Sequence, residues 1–173
     1  DANNPASYPG TGKVWYDLSG KNRHFTHDGA PNWENGRGFY FRDDGSFVGS
    51  ANGGWPQGSS DRTILAWALP EAGGGGNKTL FHYGYPSGDS AFGLSQANQN
   101  AVGLNEWGVS AASTPDVWKN DQLSMVGVRL IGANSVSFYG DGQKVGSASD
   151  NPAIYAIGLE ISRTKDQSVR LLP

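Results

Sequence analysis

Cysteine is missing from all 173 residues of this chain. Its absence excludes disulfides, zinc–thiolate centres and a cysteine nucleophile, so packing and hydrogen bonds must hold the fold. Glutamate is scarce, confined to Glu34, Glu71, Glu106 and Glu160, and no segment keeps a helical period beyond two turns, so long helices are not expected. No apolar run approaches the roughly 18 residues that span a bilayer, which argues against membrane insertion. Residue 1 opens no basic-apolar-small leader, and the chain reads as a mature protein or an excised domain. Positive charge is also in short supply. A formal charge of -3 leaves no basic field for a phosphate backbone and argues against nucleic acid as a partner.

What is abundant is turn chemistry, with 26 glycines and 9 prolines. Such a mix favours many short strands, and the length suits one domain, residues 1–173, able to bury a core unaided. The clearest segment is Ser124 to Gly146. Val126, Val128 and Leu130 alternate with Gly127, Arg129 and Ile131, and Val136 and Phe138 alternate with Ser137 and Tyr139. A period of two puts one set on a buried sheet face and the other outside. Gly140-Asp141-Gly142-Gln143 then supplies the tight turn of a hairpin, and Lys144-Val145-Gly146 starts the return strand. This is a β-meander.

Other strands are expected at Val14 to Leu18, Gly38 to Arg42, Phe47-Val48, Thr79 to Tyr83, Ala91 to Leu94 and Ala101 to Trp107. Arg62 to Leu69 is apolar at nearly every position, the pattern of a central strand covered on both faces, with Pro70 ending it. The opening DANNPASYPGTG reads as a surface segment of preset turns, and Ser110 to Asn120 as a helical turn or loop. Ile154 to Ile161 reads as a late strand, and Thr164 to Pro173 as an edge strand or interface tail. The expected fold is all-β: an antiparallel two-sheet sandwich of jelly-roll type.

WYDLSGKNRH from Trp15 to His24, then TILAWAL, TLFHYG and VSFYGDGQKVGS, resembles the laminin-G-like jelly roll of the concanavalin A-like superfamily. Asp17, Ser19 and Gly20 match its Asp-x-Ser-Gly segment, Trp67 its mid-strand tryptophan, and Tyr139, Asp141 and Gly142 its hairpin. The closing GLEISRTKDQSVRLLP departs from the paired acids usual at the end of such domains. The resemblance implies a recognition module, often with calcium at a rim. Asp17, Asp43, Asp44 and Asp141 are the candidate oxygen ligands, with Asp121 as a further acid in a loop.

Catalysis finds little support. Glycosidases of this architecture need two carboxylates on one strand face, and no two acids here are separated by two, three or four positions. A serine triad lacks its G-x-S-x-G elbow, His24 and His27 read as exposed turn residues, and His82 reads as a sheet-surface residue. The tetraglycine at Gly73 has no phosphate-loop lysine and reads as a hairpin tip. The chain is therefore expected not to be an enzyme.

Six tryptophans and 7 tyrosines point instead to sugar, whose C–H faces stack on flat rings while its hydroxyls bond polar side chains. Trp15, Trp67 and Trp118 read as core. Trp55 lies among Gly53, Gly54, Pro56 and Gly58, so it either caps one end of the sandwich or offers a stacking platform. Tyr85 and Trp107 are further candidates, with Asp89 and Asn105 as polar partners. A glycan or polysaccharide is the expected partner, and an extracellular, cell-surface or virion location follows from it. The alternative is a structural or adhesive surface domain that binds a protein partner or its own copies.

Overall fold

The computed structural model of the chain describes residues 1–29, 31–41, 45–49, 54–72, 78–84, 90–106, 109–150, 159–161 and 169–171, with 109–110 and the last two segments described by backbone alone. Two antiparallel sheets face each other. The first runs β1 (Val14–Trp15), β2 (Phe25–His27), β5 (Phe47–Gly49), β14 (Leu159–Ile161), β7 (Lys78–Gly84), β8 (Ala91–Ala97), β9 (Ala101–Asn105), β10 (Val109–Ala112). The second runs β13 (Gln143–Ser149), β12 (Ser135–Gly140), β11 (Ser124–Ile131), β6 (Arg62–Pro70), β15 (Val169–Leu171), β4 (Gly38–Phe41), β3 (Asn32–Glu34). The protein is an all-β sandwich.

The meander forms as its pattern predicts. Val128 stands opposite Phe138 and Leu130 opposite Val136, and all four are buried with Val126. Asp141 at φ 47° and Gly142 at φ 82° form its turn, the pair of positive angles that suits a right-twisted hairpin. The Asp141 carboxylate also accepts a hydrogen bond from the Met125 N–H at 2.9 Å, tying the turn to β11. From the first sheet, Phe47, Phe92, Leu94, Val102 and Leu104 fill the interior opposite Phe39, Phe41, Val126 and Phe138 of the second. Around Phe39 the rings of Tyr8, Trp15 and Phe47 sit 4.7 to 4.8 Å away by centroid, so one end of the sandwich is an aromatic cluster.

Several expectations are corrected. On β6 only one face is covered: Ala68 is in the core with Ile64 and Ala66 packed beside it, while Leu65 is 57% exposed and Trp67 46% exposed. Trp67 is therefore no core residue; small side chains suffice inside because rings from the opposite sheet take up the space. Trp118, by contrast, is fully buried, and its loop follows β10 and contains no helix. Gln96 Nε2 holds that loop by donating to the Trp118 carbonyl at 2.5 Å.

The opening segment does turn, yet Ala2, Ser7 and Tyr8 are buried, and Trp33 Nε1 donates to the Ala2 carbonyl at 2.9 Å. His27 is also buried, lying edge-on to Phe47 at 4.9 Å. His82 is buried because Gly93, directly across the ladder, presents no side chain: a Cβ there would meet His82 Cβ at 2.7 Å. The closing segment is no edge. β14 lies between β5 and β7, and β15 between β6 and β4.

Candidate functional site

The loop from Gly54 to Asp61 is shaped by the first residue of β6. Arg62 is 6% exposed, and a buried guanidinium must find acceptors. It finds them in the loop: Nε donates to the Ser60 carbonyl at 2.8 Å, Nη1 to the Pro56 carbonyl at 3.2 Å, and Nη2 to the Gly58 carbonyl. Nη1 also donates to the Tyr83 hydroxyl at 3.2 Å, and that hydroxyl donates to the Pro56 carbonyl at 3.0 Å. Burial raises the Tyr83 phenol above its usual range, which keeps the proton that this bond requires.

Held this way, the loop lays Trp55 over the aromatic end of the sandwich. Its ring lies 6.0 Å from Tyr83, 6.4 Å from Phe25 and 6.5 Å from Phe81. Arg23 covers Trp55 from outside, with its guanidinium carbon 4.8 Å from the ring centroid and Nη2 donating to the Gly54 carbonyl at 3.1 Å.

Arg23 is placed by a second loop, organised around Asp17. The Ser19 N–H donates to one oxygen of Asp17 at 2.8 Å, and the Ser19 hydroxyl at 2.7 Å and the Arg23 N–H at 3.0 Å donate to the other. Those donors, the Arg23 N–H first, hold the Asp17 carboxyl down at about 2. The Asp17 N–H donates in turn to His24 Nδ1 at 3.0 Å.

Beneath Trp55 lies a cavity of about 620 Å³, within the usual size of a small-ligand site. Trp15, Phe25 and Trp55 wall one side, Ile64 and Ala66 another, and Leu80, Phe81 and Tyr83 a third; Arg23, Asp61 and Arg62 are the charged groups. A smaller cavity of about 210 Å³ shares Trp15, Arg23, Phe25 and Trp55 with it and adds Ser7, Tyr16 and Asp17.

Of the residues singled out in the sequence, Trp55 is in this wall. It is half-buried and packed on the core, so capping and lining coincide in one ring. Asn105 lines neither cavity: at the end of β9 it is buried, and its Nδ2 donates to Thr79 Oγ1 at 2.6 Å. Tyr85, Asp89, Trp107, Asp43 and Asp44 lie outside the described residues. The described residues bring no three of His, Asp and Glu together as a metal centre. Asp17 accepts hydrogen bonds within its own loop, and Asp141, in the β12–β13 turn, accepts one from the Met125 N–H.

Arg23 and Arg62 were missed. Arg62 had a signal: a charged residue opening an apolar strand, straight after a glycine-rich loop full of free carbonyls. Arg23 had none beyond its place in the WYDLSGKNRH segment.

No family model matches the chain, and no curated protein matches it in sequence. Solved structures do share its fold. The botulinum neurotoxin serotype D binding domain superposes with a TM-score of 0.69 at 10% identity, covering 99% of this chain and 48% of that one. The serotype D ligand binding domain in complex with N-acetylneuraminic acid gives 0.67 at 11% identity, covering 94% and 46%. Trypanosoma rangeli sialidase gives 0.62 at 19% identity, covering 93% of this chain and 28% of that chain. The chain thus spans less than half the length of these proteins, and at such identities what it shares with them is an all-β fold.

Proposed function

We propose that the chain is a non-catalytic recognition module that binds a carbohydrate in the cavity beneath Trp55. The observation that carries the reading is the cavity itself, about 620 Å³ lined by the rings of Trp15, Phe25, Trp55, Phe81 and Tyr83, with the Arg23 guanidinium against Trp55. Flat rings and a few fixed polar groups are what a sugar needs for stacking and orientation. The structure of the same fold that holds N-acetylneuraminic acid adds support. The carboxylates beside the cavities do not suit acid catalysis. Asp61 accepts from the Gly132 N–H at 2.7 Å, and Asp17 is shifted down, where a general acid must be shifted up.

Within the sandwich class the reading favours laminin-G-like kinship, on the Asp17-x-Ser19-Gly20 loop and the Tyr139 to Gly142 hairpin, and a setting outside the cell or on a cell or virion surface, where glycans are displayed. A glycan array probed with the wild-type chain and Trp55→Ala tests it. Binding that Trp55→Ala weakens about tenfold or more is expected, because loss of a stacking ring removes both area and orientation. No binding to any glycan sinks the proposal.

A second reading, an adhesive or structural domain, is favoured by the exposed Leu65 and Trp67 on the outer face of β6, with Ile131 exposed on neighbouring β11. Light scattering that shows an oligomer dispersed by Trp67→Ser would support it; a monomer at all concentrations would count against self-association.

A further inference from the structure

We propose that the sugar taken by this cavity carries a carboxylate, and that Arg23 is the group that holds it, so that the module selects acidic glycans over neutral ones. The inference rests on the glycan reading above and names the class of glycan. Arg23 lines both cavities. Its guanidinium makes one hydrogen bond, to the Gly54 carbonyl, while Nε is buried without a hydrogen-bond partner among the described residues. None of the described carboxylates pairs with it. A guanidinium in that state is a planar fork with donors to spare, and a carboxylate fits such a fork with two parallel bonds. The rings of Trp15, Phe25 and Trp55 beside it thin out the water that would otherwise screen the pair.

The remaining charges decide which side receives the anion. On the larger cavity Arg62 adds positive charge, but its N–H groups are engaged by the 56–60 loop and Tyr83, so it contributes field more than contact. Asp61 opposes it there, with one oxygen taken by the Gly132 N–H. The smaller cavity sets Arg23 against Asp1 and Asp17. A carboxylate is therefore better received on the side of the larger cavity. Asp17 acts through Arg23: by accepting the Arg23 N–H at 3.0 Å, it positions the residue over Trp55.

Calorimetric titration of matched pairs tests the inference: 3′-sialyllactose against lactose, oligogalacturonate against its methyl ester, and a hyaluronan fragment against its carboxyl-reduced form. At least one acidic member is expected to bind about tenfold more tightly than its neutral counterpart, with the preference shrinking as salt is raised. Arg23→Gln should erase that preference, and Arg23→Lys should restore part of it. Equal binding of acidic and neutral members by the wild-type chain overturns the inference while the glycan reading stands. A preference that survives in folded Arg23→Gln overturns Arg23 as its source. If neither kind of sugar binds, the glycan reading has failed and this inference falls with it. The wild-type comparison decides on its own should a variant fail to fold.

Discussion

His27 sits at the end of β2 with its ring against Phe47, and the Gly29 N–H donates to Nδ1 at 2.9 Å. That bond needs an unprotonated Nδ1, which assigns the proton of the neutral ring to Nε2. Burial is the main force on this group and pushes its pKa below the ordinary 6.5, with neighbouring Asp28 pulling the other way. In the unfolded chain the same imidazole takes up a proton near pH 6.5. Between the two values the unfolded state binds more protons, so His27's contribution to stability is complete above about pH 6.5 and is lost as pH falls through the folded value. Urea midpoints measured from pH 8 to pH 5 should drop in the acid half of that range, and His27→Gln should flatten the drop. An unchanged slope in the variant would remove His27 as its source. Arg62, at the head of β6, is held by carbonyls of a loop that sequence patterns mark only as irregular.

Strands were legible where both halves of a pairing lie close in sequence. The β11–β12–β13 meander is readable because its turn residues and alternation agree within about twenty positions, so each local preference points to the same register. β6 was legible as a strand, but its burial was not, because a run of apolar residues does not say which face a second sheet will cover. That depends on the rings of β7 and β8, which no local pattern assigns to it. Gly93 shows the same dependence across one ladder. Its φ is ordinary, so a side chain there meets no backbone strain, but a Cβ would stand 2.4 Å from the Phe81 carbonyl oxygen and 2.7 Å from His82 Cβ. Neither atom is the loose end of a flexible side chain. Gly93→Ala should therefore spread β7 from β8 and destabilise the fold by about 1–3 kcal/mol, the usual range for overpacking. Chemical denaturation measures it. A loss below about 0.5 kcal/mol, the scatter of ordinary surface substitutions, would mean that the ladder yields freely and that His82 is buried for another reason.

At the scale of the whole molecule, the last described residues join what the rest of the chain leaves apart. In the first sheet β14 is the link between the β1–β2–β5 group and β7; in the second, β15 is the link between β6 and the β4–β3 pair. The sequence of this segment, with its loose likeness to a closing strand, gave no reason to place it at two sheet centres, since its partners lie about 80 to 130 positions away. Loop closure over such distances is settled only by the assembled core. The site shares this dependence. Trp15 and Phe25 reach the cavity from one side of β14, and Phe81 and Tyr83 from the other, so the wall around Trp55 stays together only while that strand is in place. A chain cut after Asp150 should lose the sharp cooperative transition of a small domain, bind a hydrophobic dye through its exposed phenylalanines and tryptophans, and show a weakened near-ultraviolet dichroism while retaining much extended backbone. Glycan binding should vanish with it, even though every described side chain that lines the cavity is kept. A truncated chain that melts as sharply as the intact one, with its aromatic dichroism unchanged, would show that the two halves of each sheet hold together through ring packing alone.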